Sequence, residues 1–75
     1  MKTYHINIFY SEDDKGFIAD IPDLKFCSAF GETPEKALAE VLIAQQLWLE
    51  AAKETGKEIP KQRYRPMIYQ IAQHV

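Results

Sequence analysis

The sequence predicts an α+β domain: a three-stranded antiparallel sheet and one long helix in β-β-β-α order, followed by a short C-terminal helix or strand. Three observations carry that prediction. Residues 3–10 alternate, with Tyr4, Ile6 and Ile8 on one side and His5 and Asn7 on the other, the period of a half-buried strand. Residues 17–21 repeat the alternation through Phe17, Ala19 and Ile21. From Pro34 onward the apolar residues recur at helical spacing instead.

Between the first two strands, Ser11-Glu12-Asp13-Asp14-Lys15-Gly16 is a polar, glycine-ended turn suited to a hairpin longer than two residues. Pro22 ends the return strand because it has no N–H to give a ladder. Residues 26–30 form the third strand after the turn Asp23-Leu24-Lys25. Thr33 caps the helix, Pro34 takes its first position and Glu35 faces the positive end of the dipole. Leu38, Val41, Leu42, Leu49 and Ala52 make one helical face, widened by Ala37, Ala44 and Trp48, and Gly56 is the stop. A helix over 34–55 is roughly 33 Å long, against about 27 Å for an eight-residue strand. Its last turn is therefore expected to overhang the sheet and leave Trp48 and Leu49 near an edge. The tail 66–74 fits helical spacing through Ile68, Ile71 and Ala72, and strand alternation through Met67, Tyr69 and Ile71, so periodicity leaves both open.

Seventy-five residues make one small domain, and a chain of this size buries only about 60% of its unfolded surface. We divide it into a body, 1–60, and a tail, 61–75, that packs on the same domain or on a neighbouring subunit. One cysteine excludes an internal disulfide framework, so association into a homodimer or higher homo-oligomer is the expected supplement to the core. No signal pattern opens the chain and no apolar run approaches the roughly 18 residues of a membrane span; a cytoplasmic protein is expected. Residues 1–56 carry five Lys or Arg against ten Asp or Glu, and residues 57–75 carry four against one. An acidic body suits a basic protein partner better than a nucleic acid.

No constellation points to catalysis, and no enzyme activity, metal or cofactor is expected. A two-metal nuclease needs converging carboxylates, but Asp20 stands alone in its strand, Asp13 and Asp14 sit in a turn, and Glu35, Glu40 and Glu50 are spread along the helix. His5 and His74 have no second ligand at metal spacing. Cys27 reads as a small buried hydrophobe. Lys61, Arg63 and Arg65 with Tyr64 form a basic-aromatic cluster, read as pairing with the acidic body; direct DNA binding is not expected, since 15 residues after Pro60 are too few for a helix-turn-helix.

The positions Gly16-Phe17, Pro22-Asp23-Leu24, Cys27, Gly31, Thr33, Glu35, Ala37-Leu38 and Ile59-Pro60 resemble the HicB-like antitoxin family over about residues 4–60. The resemblance implies a sheet with the long helix packed across one face, a partial ribonuclease-H-like arrangement without catalytic residues. It also implies direct neutralisation of a small HicA-like toxin that cleaves messenger RNA. The chain departs from the family where Lys25-Phe26 replaces the usual Pro-Gly before the cysteine, and it reads as a short form without the DNA-binding domain.

Under this reading Glu12, Asp13, Asp14, Asp20 and Asp23, with Phe26 as an aromatic anchor, are the candidate partner-binding residues, covering a basic RNA-binding surface. Trp48, Leu49, Tyr64, Ile68 and Ile71 are the candidate oligomer interface. The alternative is an orphan HicB-like scaffold or interaction domain with no toxin. A third, a minimal RNA-binding domain, shares the element order but lacks a basic helix or loop.

Overall fold

The computed structural model describes residues 4–65. Its elements are β1 (Asn7–Ser11), β2 (Gly16–Asp20), β3 (Ser28–Gly31) and α1 (Pro34–Glu54). The strands pair antiparallel in the order β1-β2-β3, and α1 packs on one face of the sheet. This is the α+β architecture the sequence predicts.

The register explains both faces. Ile8 stands opposite Ala19 and Ala19 opposite Ala29; Tyr10 stands opposite Phe17 and Phe17 opposite Gly31. Directly opposed residues share a face, so these rows lie under the helix. Tyr4, Ala19, Ile21, Leu24, Cys27, Ala37 and Val41 form the buried core, with Ile6, Phe17, Ala29, Ala44, Trp48 and Leu49 packed around it.

Two strand boundaries differ from the alternation. β1 begins at Asn7, not at residue 3, because its ladder partner ends at Asp20, opposite Asn7. Tyr4 is nevertheless buried and Ile6 packs on the core, so the side-chain alternation outlasts the pairing. β3 begins at Ser28, not at residue 26. The connecting turn folds on itself: Ile21 N–H donates to Cys27 O at 3.0 Å, and Cys27 N–H to Leu24 O at 3.1 Å. Leu24 is driven into the core beneath it, and Phe26 takes a left-handed φ of 62°.

Helix α1 starts as its sequence specifies: Thr33 Oγ1 accepts the Lys36 N–H at 3.1 Å, with Pro34 in the first turn. It ends in a Schellman pattern, with Lys57 N–H on Ala52 O at 2.8 Å, Gly56 N–H on Lys53 O at 3.2 Å, and Gly56 at φ 74°. The buried stripe is Ala37, Val41 and Ala52, while Leu38 and Leu42 lie exposed on its flank. Gly31 is the reason. A Cβ there would overlap the backbone of Lys36 and Ala37, so β3 and the start of α1 meet through their smallest residues. That close approach turns the small stripe inward and the leucines sideways.

The end of α1 does not hang free. Trp48 and Leu49 are half-buried against the core, and Trp48 Nε1–H donates to Lys25 O at 2.9 Å. The β2–β3 turn reaches up to meet the indole. The segment after the helix returns beneath the same turn, where Tyr4 Oη–H donates to Pro60 O at 2.5 Å. Among the described residues, no helix is long and apolar enough to cross a membrane.

Candidate protein interface

The face of the sheet away from α1 is uncovered by any described element. Alternation places Phe9, Ile18 and Phe30 in one row across all three strands, Phe9 opposite Ile18 and Ile18 opposite Phe30. Phe9 is 50% and Phe30 44% exposed, with Ile18 half-buried between them. The Phe30 ring lies over Gly16, where a Cβ would overlap it; the glycine lets the aromatic lie down on the sheet. Asn7, Asp20 and Ser28 form the next row. No Lys or Arg occurs in β1, β2 or β3, so the apolar row has only a carboxylate, Asp20, as its charged strand neighbour.

The candidate partner-binding residues fall at opposite ends of this face. Glu12 and Asp13 are exposed on the β1–β2 turn. Asp14 joins them but is engaged internally: Ser11 Oγ–H donates to its Oδ2 at 2.8 Å and closes the turn. At the other end lie Asp20 and the β2–β3 turn with Asp23 and Phe26. Asp23 is turned toward the chain's own tail, its carboxylate accepting the N–H groups of Arg63 and Tyr64 at 3.2 and 3.0 Å. Phe26 is 93% exposed, with the Lys25 ammonium 5.8 Å from its ring centre.

Of the candidate oligomer residues, Trp48 and Leu49 serve the core as described. Tyr64 is exposed on one side and packs its ring against His5 on the other, centroids 4.7 Å apart. His5 is held in turn by donating from Nε2 to Asn7 Oδ1 at 2.7 Å. Ile68 and Ile71, like His74 and the 66–74 tail, lie outside the described residues. In the basic cluster, Lys61 and Arg63 are exposed and Arg65 Nη1–H donates to Tyr64 O at 3.1 Å.

Cys27 is buried, and burial raises its thiol above the ordinary value, with the Asp20 carboxylate adding to the shift. A thiol so placed is held in its protonated, unreactive form. No group of three His, Cys, Asp or Glu side chains that could hold a metal ion is found among the described residues.

The chain is 42% identical, over 53 residues, to the UPF0150 protein ssl0259 of Synechocystis sp., a match covering 71% of this chain and 73% of that protein. The chain belongs to the UPF0150 family. No family model matches it, and no solved structure does. Against its UPF0150 membership, the residues with a visible structural task are mostly fold determinants: Gly31 at the helix contact, Thr33 at the cap, Leu24 and Cys27 in the core.

The row Phe9–Ile18–Phe30 was the part of the site that sequence reasoning did not select. Its signal was nonetheless present. These residues are the out-of-phase apolar positions of their strands, where a sheet with one solvated face would carry polar side chains. Phe26 was selected, and the structure adds why it is unusual. It is a bulky residue in the left-handed region, which favours glycine.

Proposed function

We propose that this protein is an antitoxin-type binding module of the HicB-like kind, which neutralises a small basic toxin that cleaves messenger RNA by covering the toxin's RNA-binding surface. The observation that carries the reading is the uncovered sheet face. Its centre is an aromatic-aliphatic row, Phe9–Ile18–Phe30, and carboxylates predominate at its margin, with Asp20 beside the row and Glu12 and Asp13 beside the single Lys15 at the hairpin end. Aromatic residues are the favoured anchors of protein interfaces, and like-charged surfaces of two proteins repel while opposite ones steer.

The same charge pattern weighs against direct RNA binding. A sheet that stacks bases also needs cations for the phosphates, and the three strands contain none. An acidic face against a ribonuclease acts instead as a competitor for the phosphate-binding residues. Phe26 fits as a second anchor because, among the described residues, its exposure and its backbone strain have no compensation beyond the neighbouring Lys25.

The experiment is recovery of the tagged protein from its host at native expression, followed by identification of stoichiometric partners. A small basic ribonuclease should co-purify, and its messenger-RNA cleavage should stop when this protein is added back. Phe9→Ser with Phe30→Ser should lose that inhibition while keeping the circular dichroism of the parent. Recovery of the protein alone would favour the scaffold reading, and a salt-sensitive complex with RNA would favour the RNA-binding one.

A further inference from the structure

Among the described residues β3 is an outer strand of the sheet, and the bonds on its inner side show what its outer side offers. Ile21 N–H donates to Cys27 O, in register with the pairing of Asp20 and Ser28. Residues of an antiparallel strand point their backbone groups alternately toward and away from the partner. Ala29 and Gly31 therefore address β2, while the N–H and C=O groups of Ser28 and Phe30 point outward. Among the described residues no backbone group pairs with them. β3 contains no Lys, Pro or inward charge of the kind that blunts an exposed edge. The Phe30 ring does not cover the edge, since it lies over Gly16.

One flank of α1 runs alongside this edge. At one end Phe30, Gly31, Glu32, Lys36, Ala39 and Glu40 line a shallow groove between strand and helix. At the other end Trp48, next to Leu47, bonds to Lys25 O in the turn before β3. Between these points the row of Lys36 and Glu40 continues at helical spacing through Ile43 and Leu47, which are 55% and 62% exposed. Helix residues four apart advance about 6 Å, and strand residues two apart advance about 6.6 Å. A strand added to β3 would thus set alternate side chains against successive positions of this row. The flank is acidic on balance, with Glu32, Glu40, Glu50 and Glu54 exposed along it against Lys36, and Lys25 at the turn end.

We propose that the β3 edge takes an extended segment of a partner protein as an added strand, a segment with apolar residues at its centre and Lys or Arg at its ends. Backbone pairing to Ser28 and Phe30 supplies affinity, and the alternate side chains supply selectivity. The apolar centre seats on Ile43 and Leu47; the cations meet Glu32 and Glu40 at one end and Glu50 and Glu54 at the other. Two other occupants match this edge poorly. A second copy of β3 would bring only Ala29 and Gly31 to the helix side, since these are the residues opposite Ala19 and Phe17, and would bring no cation. The chain's own C-terminal residues leave the described structure after Arg65, beside Tyr64, whose ring packs on His5 just ahead of β1, the strand farthest from this edge. The inference goes beyond the toxin reading and does not depend on it, because that reading uses the open face and this one the strand edge.

Titration of the isotope-labelled full chain with a terminally blocked peptide, alternating valine and threonine between paired lysines, tests it by amide NMR. The peptide should bind and slow hydrogen exchange at the Ser28 and Phe30 amides by about tenfold or more at saturation. The same peptide with glutamates for lysines should bind at least about tenfold more weakly, and the lysine peptide N-methylated along its centre should not bind. Ile43→Ser should weaken binding by about fivefold or more with circular dichroism unchanged, because the side chain is already open to solvent. Glu40→Lys with Glu50→Lys should weaken it by about as much. Saturation without protection of Ser28 and Phe30 would overturn the inference, as would binding indifferent to N-methylation. Protection of both amides in the free chain at every concentration would give the edge to the chain's own C-terminal residues. Protection that appears only as the free chain is concentrated would give it to a second copy. Either result would overturn the proposal.

Discussion

Asp23 Oδ1 accepts the backbone N–H of Tyr64 at 3.0 Å, across 41 residues of sequence. Its second oxygen takes the Arg63 N–H at 3.2 Å. The central residue of Pro22-Asp23-Leu24 thus ties the segment after the helix to the β2–β3 turn, and the Tyr64 ring then settles on His5. Asp23→Ala should free residues 61–65, raising tryptic cleavage after Lys61 and Arg63. The loss of global stability should be about 1 kcal/mol, modest because the bonds are exposed. Asp23→Asn keeps one of the two acceptor oxygens and should retain part of the protection. Equal cleavage in parent and Asp23→Ala would remove this tie from the account.

Gly31→Ala tests the contact that sets the helix position. The added methyl would meet the backbone of Lys36 and Ala37, which has no flexible side-chain end to move aside. A loss of about 1–3 kcal/mol is expected, typical of an overpacked core, read as the urea midpoint. If α1 shifts instead of straining, Leu38 and Leu42 must move with it. An unchanged midpoint would show that the close approach is not a determinant.

Much of the fold was legible because each level of the sequence agreed with the next. Thr33-Pro34 marked the helix start, Gly56 its end and Pro22 the close of β2, each by a backbone property that acts locally. What escaped was set by contacts between distant segments. Nothing local to Leu38 and Leu42 distinguishes them from Val41; only the fit of Gly31 against Ala37 decides which of them faces inward. The last turn of α1 read as an overhang with Trp48 and Leu49 near an edge because helix and strand lengths were compared without the turn whose Lys25 carbonyl accepts the Trp48 indole N–H. The acidic candidates were chosen by charge alone, and charge does not reveal that Asp14 and Asp23 are engaged by their own chain. The Phe9–Ile18–Phe30 row needed the register, which joins three separate strands into one surface.

Alkaline stability should follow from two buried acids. Burial raises Cys27 above its ordinary 9.0, with Asp20 assisting; burial raises Tyr4 above its ordinary 10.0, with Asp23 assisting. Both groups hold their protons more tightly folded than unfolded. Their contribution is whole below the unfolded values and is lost as pH rises through the raised folded ones. Unfolding free energy should therefore fall from about pH 9 upward, measured by urea titration at stepped pH. Cys27→Ala should flatten the earlier part of that decline. Tyr4→Phe should flatten the later part, while lowering stability at neutral pH by about 1 kcal/mol because Pro60 O loses its donor. An identical pH slope in all three proteins would show that neither group is responsible.

Phe26 poses the sharpest conflict between stability and function. Its φ of 62° suits glycine, and holding a non-glycine residue there costs of order 1 kcal/mol or more. Its side chain is 93% exposed and recovers little by burial. Phe26→Gly relaxes the backbone strain but gives the unfolded chain more freedom. The net expectation is a gain of about 0.5–1 kcal/mol. Phe26→Ala keeps the strain and removes the ring, so its stability should stay near the parent's. If Phe26 anchors a partner, both variants should lose affinity by tenfold or more, on the order of 1.4 kcal/mol, although one is more stable than the parent. Stability and binding would then move in opposite directions at one residue, which loss of fold cannot mimic. Full binding by Phe26→Gly would instead confine the interface to the sheet row and leave the aromatic at this turn without a task.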